Sequence, residues 1–276
     1  MKNTRLVLNL AMLAVVLLLV LAVANEIQKP EEKPASLTLL QPGDAQSIRI
    51  ERNNQETLHF AKTETTWRIK QPINIAANQT RIESLLKLLT TTSHSSFSSS
   101  GKDLAIFGLD SPLASITIEN TRIEFGDTEP VNRRRYVKIN DTIHLITDIF
   151  FHQLKIELPS FVNNKLFDAS ITKVSFDNTI IDKNAQGGWQ TNSNNAISQD
   201  DLQVFVDTWQ NLQATRIQRA AATFPKRIAN VTLDDGSQVD FEITAEDTSL
   251  RRLDNNIKYK LLDTQFSKLF KLTNNE

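Results

Sequence analysis

One order of residues occurs twice in this chain, and this duplication constrains the fold more than any other feature. Trp67 and Trp189 each follow two alternating segments and a turn, and a predicted amphipathic helix begins soon after each of them, at Asn78 and at Ser198. The apolar positions of the two helices correspond at one constant spacing: Ile82, Leu85, Leu86 and Leu89 in the first, and Leu202, Phe205, Val206 and Trp209 in the second. We therefore expect two copies of one structural unit.

The remainder of each copy supports the same interpretation. Alternating apolar and polar residues predict a hairpin over residues 113–125 and an equivalent one over residues 228–241, and a short helix is predicted after each. Strands and helices do not alternate strictly, which favours the α+β class. We expect two tandem copies of a strand-rich unit, each with one amphipathic helix and one short helix, over residues 36–158 and 159–276.

The N-terminal segment predicts a membrane anchor. Residues 6–24 form an apolar run that only Asn9 interrupts, and as a helix this run would extend about 28 Å, close to the thickness of a bilayer core. Lys2 and Arg5 precede it, which places the N-terminus in the cytoplasm. We expect a transmembrane helix over residues 1–25 that contacts the membrane through residues 6–24, a stalk over residues 26–35, and a single-pass inner-membrane protein with a periplasmic body. A signal peptide cleaved after Ala24 is the alternative.

Composition excludes several classes of partner and site. The 31 Lys and Arg residues nearly balance the 32 Asp and Glu residues, so the net charge of -1 gives no general attraction to nucleic acid. The chain contains no cysteine, which excludes disulfides, thiolate metal sites and cysteine nucleophiles.

No catalytic pattern is evident in the sequence. The four histidines, His59, His94, His144 and His152, lack the spacing of a metal site. No serine lies in a Gly-x-Ser-x-Gly turn, and no dinucleotide or phosphate-binding loop is present. We therefore predict no catalytic residue, no metal and no cofactor, and we expect a protein that is not an enzyme.

The clearest charged feature is the succession Arg133-Arg134-Arg135-Tyr136. Arginine forks suit carboxylates and phosphates, so these residues are candidates for binding an anionic ligand in a basic groove. The favoured interpretation is structural, with solvated strand ends and local ion pairs.

Short motifs also resemble a known family. The signature Phe107-Gly108-Leu109-Asp110-x-Pro112 is followed by an alternating strand, and the succession from Phe161 to Phe167 reads Phe-Val-Asn-Asn-Lys-Leu-Phe. Both resemble bacterial membrane-anchored proteins that are grouped only as a domain of unknown function. The resemblance implies extracytoplasmic α+β modules, some encoded beside ABC-type transporter and gliding-machinery auxiliary proteins, and it supplies no catalytic residues. The second copy departs from the signature, since Phe224-Pro225 stands in its place.

These observations lead to one expected function and two alternatives. We expect a membrane-anchored binding or scaffolding protein, accessory to a transport or surface assembly of the envelope, with an envelope protein as its partner. One alternative is a module that binds an anionic ligand or polymer through Arg133, Arg134 and Arg135. The other is a hydrolase acting on envelope polymers, which would require a polar pocket with a strongly perturbed acid or histidine.

Overall fold

The chain folds mainly into two antiparallel sheets. The computed structural model describes residues 12–20, 35–193, 196–221, 223 and 225–272. The first sheet has nine strands and the second has eight. Helices in the described residues are few and short.

The first sheet contains strands β1 to β9. Their order across the sheet is β4-β3-β2-β1-β6-β7-β8-β9-β5. The strands are β1 (Ser47–Arg52), β2 (Leu58–Thr63), β3 (Thr66–Gln71), β4 (Ile75–Ala76), β5 (Ser95–Ser98), β6 (Ala114–Ile118), β7 (Thr121–Thr128), β8 (Arg134–Ile139) and β9 (Thr142–Thr147).

The second sheet contains strands β10 to β17, in the order β12-β11-β10-β14-β15-β16-β17-β13. The strands are β10 (Ile171–Phe176), β11 (Thr179–Lys183), β12 (Trp189–Thr191), β13 (Arg216–Arg219), β14 (Ile228–Leu233), β15 (Gln238–Thr244), β16 (Ser249–Arg252) and β17 (Ile257–Lys260). Apart from β4, the strand order of the first sheet is the same as that of the second when the strands are matched in chain order. β5 and β13 therefore occupy equivalent edges.

In each unit, an amphipathic helix follows the first strands of the sheet and a shorter helix follows its last strand. A helix over residues 12–20 is α1; the others are α2 (Gln79–Leu86), α3 (Phe150–Leu154), α4 (Gln199–Gln210) and α5 (Asp263–Phe266). The side chain of Asn78 accepts a hydrogen bond from the backbone N–H of Arg81 at 3.2 Å, and that of Ser198 accepts from Asp201 at 3.1 Å. These caps satisfy N–H groups that have no partner inside the helix. Both helices turn their predicted apolar faces into the core.

The predicted α+β class is wrong. Strands dominate, and the two amphipathic helices have only 8 and 12 residues. The later short helices are single turns, α3 and α5, of 5 and 4 residues. The fold is better described as two large antiparallel sheets with a few short helices, because polar segments that resemble loops in the sequence pair as strands.

The predicted transmembrane anchor is also wrong. Of the predicted anchor over residues 1–25 and stalk over residues 26–35, only residues 12–20 and 35 belong to the described residues. In the described parts of the chain, no helix combines the length and apolar character that crossing a bilayer requires. This finding contradicts the membrane contact through residues 6–24 and the single-pass inner-membrane location, with its periplasmic body.

A joining segment, residues 159–167, is hydrogen-bonded to both sheet units. On one side, Asn163 donates its backbone N–H to the Ala76 carbonyl at 2.9 Å. On the other, Ala214 donates to the Asn164 carbonyl at 2.9 Å. Phe161 is 1% exposed, and its ring lies 5.3 Å from that of Phe60. The segment thus links the two units through backbone bonds and apolar packing, while the domain boundaries at residues 158 and 159 stay a prediction.

Candidate functional site

Arg135 is buried and bonds to several groups of the protein. Its Nε and Nη2 donate to the two carboxylate oxygens of Asp148 at 2.6 and 2.7 Å. Nη1 donates to the Gly126 carbonyl at 2.5 Å, Nη2 also donates to the Thr128 hydroxyl at 3.0 Å, and the guanidinium carbon lies 3.9 Å from the centre of the Phe151 ring. A guanidinium has five N–H donors, and four are used here. Arg135 therefore fixes β8 to its neighbours.

The other three residues of this predicted site do not share a surface with Arg135. Arg133 is exposed in the turn before β8, with a φ of 54°. Arg134 and Tyr136 lie in β8 on the face opposite to Arg135, because successive side chains of a strand alternate. The structure does not bring the four residues together in one groove.

The signature residues form a tight turn against the first sheet. A 3₁₀ turn, Leu104–Phe107, ends at Gly108, whose φ is 64°, a left-handed conformation that glycine adopts without strain. A Cβ atom at Gly126 of β7 would lie 2.2 Å from the Phe107 carbonyl oxygen, so glycine is needed where the turn meets the strand. Asp110 and Pro112 follow at the surface. The signature therefore has a structural role.

This turn covers a small apolar cluster on the outer face of the first sheet. Leu109 is 3% exposed there. The Phe107 ring lies 5.5 Å from that of Phe97 in β5 and 5.0 Å from that of Tyr136 in β8. Half-buried aromatic rings thus line the side of the sheet next to β5.

A ladder of charged residues occupies the rest of that outer face. Arg122 bonds to Glu51 at 2.5 Å and to Glu124 at 3.2 Å, and Lys138 bonds to Glu124 at 2.9 Å. The hydrogen bond from Arg122 is the main cause that lowers the pKa of Glu51. Because these cross-strand partners satisfy one another, the ladder stabilises the sheet modestly.

The concave surfaces of the second unit hold paired charges. A groove of about 650 Å³ at the β10–β11 turn contains Arg227, which bonds to Asp177 at 2.7 Å. A cavity of about 340 Å³ contains Arg251, which bonds to Glu242 at 2.8 Å and to Asn256 at 2.6 Å. Among the described residues, no group of three or more acidic or histidine side chains is arranged to hold a metal ion.

Strand β5 is an open edge of the first sheet. Among the residues that the structure describes, it pairs with β9 alone, and Ser95, Ser96 and Ser98 are exposed. Ser99 donates its backbone N–H to the Asp141 carbonyl across this pair at 2.9 Å. Because N–H directions alternate along an antiparallel strand, the N–H groups of Ser96 and Ser98 point to the open side.

The equivalent edge of the second sheet, β13, is protected. It carries Arg216 and Arg219 and packs against the 3₁₀ turn Leu158–Phe161. Arg219 also bonds to Glu56 of the first unit at 2.5 Å. Charged side chains and covering segments are the usual means by which proteins prevent pairing at an edge strand. β5 has neither charge nor proline, so the two equivalent edges differ in their capacity to accept another strand.

Two histidines lie near the β5–β9 pair. Nδ1 of His144 lies 3.0 Å from the Ser93 hydroxyl, and Nε2 of His94 lies 3.2 Å from the Thr147 hydroxyl. Burial lowers the pKa of His144. The neutral imidazole is therefore the form that the fold favours.

We expect His144 to reduce stability in acid. The unfolded chain binds a proton at the ordinary histidine pKa of about 6.5, whereas the folded chain binds it only at lower pH. The free energy of unfolding should therefore fall as the pH drops below about 6.5. Urea unfolding at pH 7 and pH 5 should show a smaller loss for His144→Asn than for the unchanged chain; an equal loss would contradict the assignment. The pKa of His59 is lowered by burial and by Arg49 and Lys70. His59 should therefore account for part of the acid-induced loss of stability that persists in His144→Asn.

A pairing that sequence reasoning missed occurs in both units. The Gln79 side chain accepts from the Trp67 backbone N–H at 2.8 Å and donates to its carbonyl at 3.0 Å. Gln199 accepts in the same way from Trp189 at 3.0 Å and donates to its carbonyl. Both glutamines directly follow the helix caps, so their matching positions were a signal present in the sequence. The pairing fixes the start of each helix against the strand before it.

Comparison with protein families matches residues 67–255, more than half of the chain, to "Domain of unknown function (DUF4340)". No curated protein and no solved structure matches the chain. The match confirms the resemblance to a family of unknown function that the short motifs indicated. The gene neighbourhood and membrane anchoring implied by that resemblance are not shown. The chain therefore belongs to the family defined by this domain of unknown function, DUF4340.

Proposed function

We propose that this chain is a non-enzymatic protein-binding module that takes an extended segment of another protein onto the β5 edge. The observation that supports this proposal is the contrast between two equivalent edges. The side chains of both strands are mostly exposed, but β13 carries two arginines and contacts the 3₁₀ turn Leu158–Phe161, whereas β5 carries no charge. Strand addition at an exposed edge is a recurring mode of peptide recognition, in which backbone hydrogen bonds supply affinity.

The side chains around β5 indicate the chemistry of the segment. An added strand would place alternate residues beside Phe97, whose ring adjoins those of Phe107 and Tyr136. Aromatic and β-branched residues are favoured opposite such a ring. The residues between them would lie beside Ser96 and Ser98. We infer a neutral segment with apolar residues at every second position.

The substitution Ser96→Pro tests the proposal directly. The N–H of Ser96 points away from β9, so proline removes a donor that the fold does not use but that an added strand requires. Short extended peptides selected from a displayed random library against the purified chain should lose at least tenfold in affinity for Ser96→Pro. Titration of a labelled peptide gives the dissociation constants.

The variant Ser96→Ala is the matched control, because it removes the same hydroxyl and keeps the N–H. It should bind the selected peptides as the unchanged chain does. Equal binding to Ser96→Pro and Ser96→Ala, or failure of the selection to yield any peptide, contradicts the proposal. Self-association of the unchanged chain in sedimentation that Ser96→Pro abolishes would assign the edge to a second copy and also overturn it.

The partner expected from the resemblance, a component of a transport or surface assembly, stays a prediction. The alternative of an anionic ligand at residues 133–136 gains no support from the positions of those side chains, since Arg135 is 7% exposed and bonded to Asp148.

A further inference from the structure

The first unit already binds an extended segment, at a site that we name the first corner, residues 76–78. Asn78 donates its backbone N–H to the Phe161 carbonyl at 2.7 Å, and Asn163 donates to the Ala76 carbonyl at 2.9 Å. Between these two bonds, Ala77 forms an antiparallel bridge with Val162. Ala77 is 0% exposed and Val162 is 1% exposed. The joining segment thus shows which ligand geometry this kind of site accepts.

The second unit contains an equivalent site, the second corner, residues 196–198. Asn78 and Ser198 are both helix caps, and in both units the next residue is a glutamine whose side chain pairs with the backbone of the preceding tryptophan. Counting back from these caps matches Ala196 with Ala76 and Ile197 with Ala77. The two corners therefore occupy the same sequence position before their helices. Among the described residues, the bond that Ala77 donates to the Trp67 carbonyl has no counterpart at Ile197.

The second corner is open where the first is covered. Ala196 and Ser198 are exposed and Ile197 is only half-buried. Within the described residues, neither the Ala196 carbonyl nor the Ser198 backbone N–H has a hydrogen-bond partner. The same two backbone groups that bind the joining segment in the first unit are thus available to a ligand in the second.

We propose that the second corner binds an extended segment of another protein in the manner in which the first corner binds the joining segment. The inference rests on the proposed function of the chain as a protein-binding module and adds a second site to it. The segment offers a carbonyl to the Ser198 N–H, an apolar side chain opposite Ile197, and a free N–H to the Ala196 carbonyl. Ile197 presents more apolar surface than Ala77, which favours an apolar residue at the centre of the ligand.

The N-terminal region of a second copy does not have this chemistry. In the second unit, Ala214 donates to Asn164; in the first, Ser93 donates to Ala35 at 2.9 Å in the equivalent bridge. Ala35 therefore corresponds to Asn164, and the residue matching Asn163 is Pro34. Proline has no amide proton in any conformation, so it cannot donate as Asn163 does. The joining segment of a second copy has the required groups, but it is already bound at its own first corner. The ligand is accordingly a segment of a different protein.

A synthetic peptide that copies residues 159–165 is the probe. Added to the ¹⁵N-labelled full chain, it should shift the amide resonances of Ile197 and Ser198, with a dissociation constant on the order of 0.1–1 mM, since two backbone bonds and one apolar contact must offset the lost freedom of the peptide. A peptide methylated on the nitrogen of the residue that copies Asn163 should bind at least tenfold more weakly. The variant Ile197→Asp, with the rest of its spectrum unchanged, should also lose binding.

Three results overturn the inference: equal binding of the methylated peptide, unchanged binding to Ile197→Asp, or shifts confined to residues 76–78, which would mean exchange with the joining segment. The Ser96→Pro variant separates the two proposals. It should bind the probe normally if the second corner is a site of its own. In this variant, loss of the library peptides with the probe still bound supports both proposals. Library peptides that still bind contradict the β5 proposal alone, and loss of the probe contradicts the second corner as a separate site.

Discussion

Phe161→Ala should lower the free energy of unfolding by about 3–5 kcal/mol, the cost of truncating a fully buried phenylalanine. The Phe161 side chain is 1% exposed and packs against Phe60 of the first unit. It also lies in the 3₁₀ turn that contacts β13 of the second unit. The cavity left by alanine would therefore lie where the two units meet. Urea denaturation followed by circular dichroism measures the loss.

A second consequence concerns cooperativity. Small units that share a well-packed interface unfold together, whereas weakly coupled ones separate. We expect the variant to unfold over a broader range of urea concentration than the unchanged chain. Phe97→Ala is the control, because Phe97 is half-buried on the outer face of the first sheet, away from the joining segment. This variant should lose less free energy of unfolding than Phe161→Ala, and its urea unfolding transition should stay as sharp as that of the unchanged chain. An equal loss for both variants would contradict the importance assigned to Phe161.

Local patterns predicted the two amphipathic helices, although Leu89 lies in the 3₁₀ turn that follows the first of them. The caps Asn78 and Ser198 and the apolar faces behind them are as the sequence indicated, because a helix is specified by neighbours in the chain. The predicted fold class was wrong because strand pairing depends on residues that are distant in the chain. β5 contains three serines and one phenylalanine, which is not a pattern typical of a strand, and its pairing with β9 joins residues 44 to 50 positions apart. Local periodicity does not predict pairing over such distances.

In the candidate sites too, local sequence patterns predicted some features, whereas others depend on residues that are distant in the chain. The serine-rich stretch, residues 93–100, allowed either a polar edge strand or exposed loop, or a flexible linker between domains, and residues 95–98 form the strand β5. The two corners were beyond sequence reasoning, because the bond from Asn78 to Phe161 joins distant residues through their backbones and leaves no side-chain pattern. The sequence shows that three arginines are adjacent, but it does not show on which face of the sheet each side chain lies. Only the pairing of β8 with β7 and β9 shows that Arg135 faces inward.

Because the Arg135 side chain faces inward, replacing it should cause the second large loss of stability. Arg135→Ser should lower the free energy of unfolding by about 3 kcal/mol, near the lower end for breaking a buried ion pair. The substitution leaves Asp148 without its partner and removes the donors to the Gly126 carbonyl and the Thr128 hydroxyl. The lower end applies because the Asp148 side chain is 25% exposed, so water can solvate part of the carboxylate. Thermal and urea unfolding both measure the change.

Arg133→Ser is the control, and its effect should stay within about 0.5 kcal/mol, as for most surface substitutions. Arg133 is exposed, and no hydrogen bond or ion pair from its side chain is present among the described residues. Both variants lose one positive charge. The difference between their free energies of unfolding therefore reports the effect of burial and not that of net charge. Equal stability of the two variants would show that Arg135 is not structural. A large difference would mean that any loss of anion binding after joint replacement of residues 133–135 reflects unfolding of β8.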